Sequence, residues 1–99
     1  MNKEIHIVCK IRCKDEDRDV VSKILLQYVE PAREESGCLY YHVFENSYNQ
    51  GEFYILDGWK DEEAVQAHIK HPDVSKVNAI LEPYLLNKQE LTYGKRISD

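Results

Sequence analysis

Between Cys38 and Lys60 the chain carries two aromatic-rich stretches, Cys38 to Glu45 and Glu52 to Lys60, on either side of Asn46-Ser47-Tyr48-Asn49-Gln50-Gly51. Tyr, Phe, Val and Trp crowd the flanks, and the polar segment ends on Gly. Two β-strands closed into a hairpin follow from that pattern. A lone hairpin is at best marginal in water and needs more strands or a packed helix. What lies on either side of it therefore decides the fold.

Upstream, Ile5, Ile7, Cys9, Ile11 and Cys13 alternate with His6, Val8, Lys10 and Arg12, which predicts a strand. The second set is not wholly polar, and the stems of Lys10 and Arg12 can lie along another surface. Asp15, Glu16 and Asp17 then place three acids where a helix dipole favours them. Val20, Val21, Ile24, Leu25 and Tyr28 follow at helical spacing. Pro31 cannot donate to the carbonyl of residue 27, so a kink or break is expected there, with Gly37 as terminator. Downstream, Asp61 is placed to cap a helix that starts with Glu62 and Glu63. Ala64, Val65, His68 and Ile69 share one face of it. His71-Pro72 ends that helix and puts Pro in the first turn of another, whose stripe is Val74, Val77, Leu81, Tyr84 and Leu85. Pro83 should end or kink this piece. Gln89 to Ile97 reads as a weaker last strand around Leu91 and Tyr93.

The order is β-α-β-β-α-β with the second helix split. It predicts an α+β, ferredoxin-like fold, a four-stranded antiparallel sheet with its helices on one face, as a single domain over residues 1–99. The other sheet face then needs cover. Val8, Tyr40, Phe44 and Tyr54 or Leu56 are placed to line it, and a second copy of the chain is the simplest cover.

Thirteen Lys and Arg stand against 18 Asp and Glu, a net charge of −5, which argues against a general nucleic-acid or anionic-membrane surface. No apolar run approaches the ~20 residues that span a bilayer. The first residues, Met-Asn-Lys-Glu-Ile-His, lack the apolar region of a secretory leader, and the three Cys are an odd number. The expectation is a cytoplasmic protein with reduced thiols. The four Gly, at 37, 51, 58 and 94, are isolated, so no phosphate-cradling loop is present. In 99 residues there is no room for a Rossmann domain beside a substrate domain.

Cys9 and Cys13 sit four apart on a strand, roughly 13 Å, too far to share one zinc ion. They are expected as small core hydrophobes, and Cys38 has no sequence-near His to activate it. His68 and His71, three apart on a helix, could chelate a metal, but no further ligand is placed by motif, and no metal site is expected. His71 suits a helix C-terminus, where the dipole favours it. His68 is the sharper candidate, an imidazole on a face meant for the core. It is either a buried His satisfied by a carbonyl or a Tyr hydroxyl, or a pocket His that moves a proton. Trp59 is expected in the core with a partner for its indole N–H. Of seven Tyr, those at 40, 41, 54, 84 and 93 can line a pocket for an aromatic ligand or pack a subunit interface.

Glu34-Glu35-Ser36-Gly37-Cys38-Leu39-Tyr40-Tyr41, then Phe53 through Trp59-Lys60-Asp61-Glu62-Glu63-Ala64-Val65-Gln66-Ala67-His68, resembles the antibiotic biosynthesis monooxygenase domain family. The shared pattern is a Gly-Cys-Leu-x-Tyr strand opening, an aromatic strand ending in Trp, an acidic helix start and a His nine residues after the Trp. The Pro-containing break Lys70-His71-Pro72-Asp73 and the ending Leu81-Glu82-Pro83-Tyr84-Leu85 extend it. The resemblance implies a ferredoxin-like homodimer whose sheets join in an α+β barrel. It implies oxidation of a small quinol or phenolic substrate by molecular oxygen, with no metal, flavin or haem. His68 would be the proton acceptor or anion stabiliser, Trp59 a pocket wall, and Tyr41 and Tyr54 substrate-orienting groups. The family's haem-degrading branch needs an Asn on the first strand, a helix Trp where His68 stands and a His where Asn78 stands, and this chain has none of them. An isomerase or lyase of a small metabolite, with or without a phosphate, and a non-catalytic small-molecule-binding dimer are the alternatives.

Overall fold

The computed structural model describes residues 3–98. Strands β1 (Ile5–Arg12), β2 (Cys38–Glu45), β3 (Glu52–Trp59) and β4 (Glu90–Gly94) form one antiparallel sheet in the order β2-β3-β1-β4. Helices α1 (Arg18–Gln27), α2 (Val29–Arg33), α3 (Glu62–Ile69) and α4 (Pro72–Leu81) complete the ferredoxin-like α+β arrangement. Single 3-10 turns at Asp15–Asp17 and Glu82–Tyr84 flank the two helical segments.

The helix breaks have local causes. α1 ends at Gln27, whose carbonyl is the one Pro31 cannot serve, and Pro31 then sits in the first turn of α2, where a missing N–H costs nothing. Asp61 caps α3 by accepting from the Ala64 N–H at 2.8 Å. His71 departs from expectation. It does not face a helix C-terminus but caps the start of α4, its Nδ1 accepting from the Asp73 N–H at 3.1 Å. Pro72 follows as the first helical residue. The last strand is shorter than Gln89 to Ile97 suggested, with five paired residues.

The strand register sorts side chains by face. Ile7, Cys9, Ile11, Tyr41, Phe53, Ile55, Asp57 and Trp59 point towards the helices and are buried, with Val21, Leu25, Tyr28, Ala32 and Leu81 packed over them. Cys9 and Cys13 belong to this core, as expected of small hydrophobes. Val8, Tyr40, Phe44, Tyr54 and Leu56 lie on the other face, where Val8 and Phe44 are 43% and 50% exposed.

Two glycines set close approaches. Gly37 has φ +88°, and a Cβ there would lie 2.6 Å from the Ala64 Cβ, so glycine lets the turn before β2 press against α3. At Gly58 a Cβ would meet the Tyr40 ring at 2.3 Å. Its absence lets Tyr40 lie across β3 and reach His6 Nδ1 on β1 at 2.6 Å.

Candidate active site

A cavity of about 200 Å³ lies between the inner sheet face and the helices. Its floor is a row across the sheet, Tyr41 on β2, Asp57 on β3, Ile7 on β1 and Tyr93 on β4, paired in register. Leu25 and Tyr28 of α1 and its C-cap, His68 of α3, and Val74, Val77 and Leu81 of α4 form the roof. Ile69, Leu91 and Tyr93 are about half exposed and line it too. The volume suits a substituted single ring, since an apolar cavity of roughly 150 Å³ holds benzene.

One set of polar side chains at the cavity is joined by direct contacts. His68 Nδ1 lies 3.1 and 3.2 Å from the two Glu35 carboxylate oxygens, and both side chains are nearly buried, at 12% and 10% exposure. Tyr28 donates its hydroxyl to the same carboxylate at 2.8 Å. The His68 ring stacks on Trp59 with centroids 4.3 Å apart. The Trp59 indole N–H donates to Asp57 Oδ2 at 2.6 Å. Tyr28, Glu35, His68, Trp59 and Asp57 thus form one contiguous chain of contacts. Gly37 makes it possible locally, because the turn it allows holds Glu35 against α3.

Burial, then the nearby Glu35, holds the Tyr28 hydroxyl above the usual phenol range. Burial, then Asp57, does the same for Tyr41. Burial pushes the Cys9 thiol up to about 12, helped by Asp57, and Cys9 donates to Gln89 Oε1 at 3.4 Å. These three are hydrogen-bond donors, not bases. Asp57, 3% exposed, is raised from its ordinary 3.8 to about 6. Burial is the larger cause, and the Trp59 N–H and His68 oppose it.

The four residues singled out from the sequence separate in space. His68 and Tyr41 line the cavity. Trp59 is fully buried behind His68 and does not itself line it. Tyr54 is corrected. By β3 parity it stands on the outer face, where its hydroxyl donates to Glu52 and accepts from Asn46 at 3.0 Å. Among the described residues no group of three or more His, Cys, Asp or Glu is arranged to hold a metal. No helix among them is long and apolar enough to cross a membrane.

The family model for antibiotic biosynthesis monooxygenases matches residues 4–79, which carry β1 to β3, α1 to α3 and most of α4. The chain belongs to that family. Solved structures share the fold at low identity. A conserved protein of Methanosarcina mazei is 23% identical, with a TM-score of 0.89 and 96% and 94% of the two chains covered. A Pseudomonas aeruginosa protein is 21% identical at a TM-score of 0.90, covering 99% and 98%. An antibiotic biosynthesis monooxygenase is 19% identical at 0.88, covering 95% and 99%. No curated protein matches in sequence.

This antibiotic biosynthesis monooxygenase domain holds site residues that spacing alone did not single out. Asp57 had a usable signal, being an acid in the inward register Phe53-Ile55-Asp57-Trp59. Tyr28 was legible as part of the α1 stripe but not as a donor to Glu35. Glu35 had no signal, because its meeting with His68 spans 33 residues of chain.

Proposed function

We propose that the protein is a cofactor-independent monooxygenase acting on a small phenol or quinol with molecular oxygen. The observation that carries this reading is the small apolar cavity with His68, locked to Glu35, on its wall. Family membership supports an oxygenase. The electron balance asks for no external reductant. A hydroquinone and dioxygen give a hydroxyquinone and water, one oxygen atom going to each, with all four electrons from the ring. What remains for the protein is to ionise a hydroxyl, orient the ring and exclude water. His68 takes the proton or holds the anion. Tyr41, a persistent donor on the floor, orients the substrate.

The test is oxygen uptake during incubation with hydroquinone and 1,4-dihydroxynaphthalene, wild type beside His68→Ala. Uptake matched to product, with turnover in the variant lower by about 100-fold or more, is the expected result. Unchanged turnover in His68→Ala would sink the reading. Product without oxygen consumption would point to an isomerase or lyase, and saturable binding without conversion to a binding module.

A second copy of the chain covers the outer sheet face in this proposal. The support is the exposure of Val8 and Phe44 beside Tyr40 and Leu56. Sedimentation at micromolar concentration is expected to give a dimer, and Phe44→Glu a monomer. A wild-type monomer would overturn it.

A further inference from the structure

Asp57 is the one buried acid on the cavity wall, and it has no ion pair with Lys or Arg among the described residues. Burying a carboxylate without a cation is costly, and such groups concentrate where chemistry needs them. Its only hydrogen-bond donor among the described residues is the Trp59 indole, which takes Oδ2. Among the described residues no side-chain oxygen is both sealed and unpartnered, so Oδ1, which has no partner there, keeps accessible surface on a residue that lines the cavity. Three other polar atoms of the wall are already engaged. Tyr28 and His68 Nδ1 both engage Glu35, and the Cys9 thiol engages Gln89.

We infer that Asp57, through Oδ1, is the catalytic residue that accepts the proton of the substrate hydroxyl. The assignment rests on the phenol or quinol reading above and decides its open point, leaving the anion to His68. The O–H bond of the bound phenol breaks, its proton passes to the carboxylate and its electron pair stays on the oxygen. The charge inside the cavity is unchanged by that step, so no ion is newly buried when the phenolate forms. Dioxygen, the co-reactant, then meets an electron-rich ring.

The electrostatic setting fits a base that works near neutral pH. Asp57 faces the indole on its own strand, His68 on α3, Glu35 before β2, Cys9 on β1, and Tyr41 and Cys38 on β2. The thiols and phenols in that set are pushed up and stay neutral. Burial leaves the carboxylate more basic than in water, at about 6, yet ionised at pH 7.

Two measurements test it. The first is a carbon-13 NMR titration of the Asp57 carboxyl, alone and with 4-fluorophenol, which lacks the second hydroxyl that oxidation to a quinone uses. The expected inflection lies near pH 6 and moves lower with the phenol, because a hydrogen bond to the carboxylate favours its charged form. The second is kcat and KM for hydroquinone oxidation against pH. Asp57→Asn is expected to lower kcat by about 100- to 10,000-fold with KM changed only a few-fold, and to erase the inflection near 6. Trp59→Phe keeps the carboxylate but removes the indole donor, so the inflection should move up while turnover persists above it. An Asp57 inflection that ignores the phenol, or a wild-type kcat in Asp57→Asn, overturns the assignment and leaves the oxygenase reading standing. A phenol-induced shift without any oxygen uptake overturns the oxygenase reading and supports the Asp57 contact.

Discussion

Asp57→Asn is expected to stabilise the fold at neutral pH by about 3 kcal/mol while it removes the activity proposed above. A carboxyl whose folded pKa is raised from 3.8 to about 6 binds its proton more tightly folded than unfolded. Between those values the native state carries the extra proton, so stability falls as pH rises through the window. Above about pH 6 both states are ionised, and the cost of holding the charge in the core is fully present. Below about pH 4 both are protonated, and the cost is gone. About two pH units at roughly 1.4 kcal/mol each give the magnitude. The Asn side chain keeps an oxygen for the Trp59 N–H and carries no charge. Denaturant unfolding at pH 4, 5, 6 and 7 checks it. The wild type should lose stability relative to Asp57→Asn as pH rises from 4 to 7, and the two should converge at the acid end. Parallel curves would mean that Asp57 titrates no differently folded and unfolded. A stability gain coupled to lost turnover is the pattern of a group kept for function at a cost to the fold.

The contrast between Asp57 and Glu35 shows how far sequence reading reaches in this chain. Elements were legible because each has a local cause. Alternation marks β1, the Gly-ended polar turn joins β2 to β3, Asp61 caps α3, and Pro72 opens α4. Parity sorted the two sheet faces correctly, including Val8, Tyr40 and Phe44 on the outside. The same parity, applied to β3, places Tyr54 outside and Asp57 inside, so those two were within reach of local reasoning. Glu35 and Tyr28 were not. Their meeting with His68 depends on how the turn at Gly37 presses on α3, a tertiary contact that no spacing encodes. His71 differed for a subtler reason. A His between two helices can serve the end of one or the start of the next, and extended backbone at φ −64° and ψ 134° makes it a cap.

Trp59→Ala should be the most damaging single change in the core, with a cost of about 3–5 kcal/mol from lost burial and the cavity left behind. Trp59 is the largest fully buried side chain among the described residues, with its indole bonded to Asp57 and its ring stacked on His68. Its loss does more than open space. The Asp57 carboxylate would lose its only donor among the described residues and remain buried, a penalty that mere removal of apolar area does not carry. That penalty disappears when Asp57 is already neutral. The cost of Trp59→Ala at pH 7 should therefore be smaller in the Asp57→Asn background than in the wild type, by about 1–3 kcal/mol in a double-mutant cycle. At pH 4, where Asp57 is largely protonated, the coupling should shrink. Equal costs in both backgrounds at pH 7 would show that the indole serves only to fill the core, and that its hydrogen bond to Asp57 does not hold the carboxylate ionised.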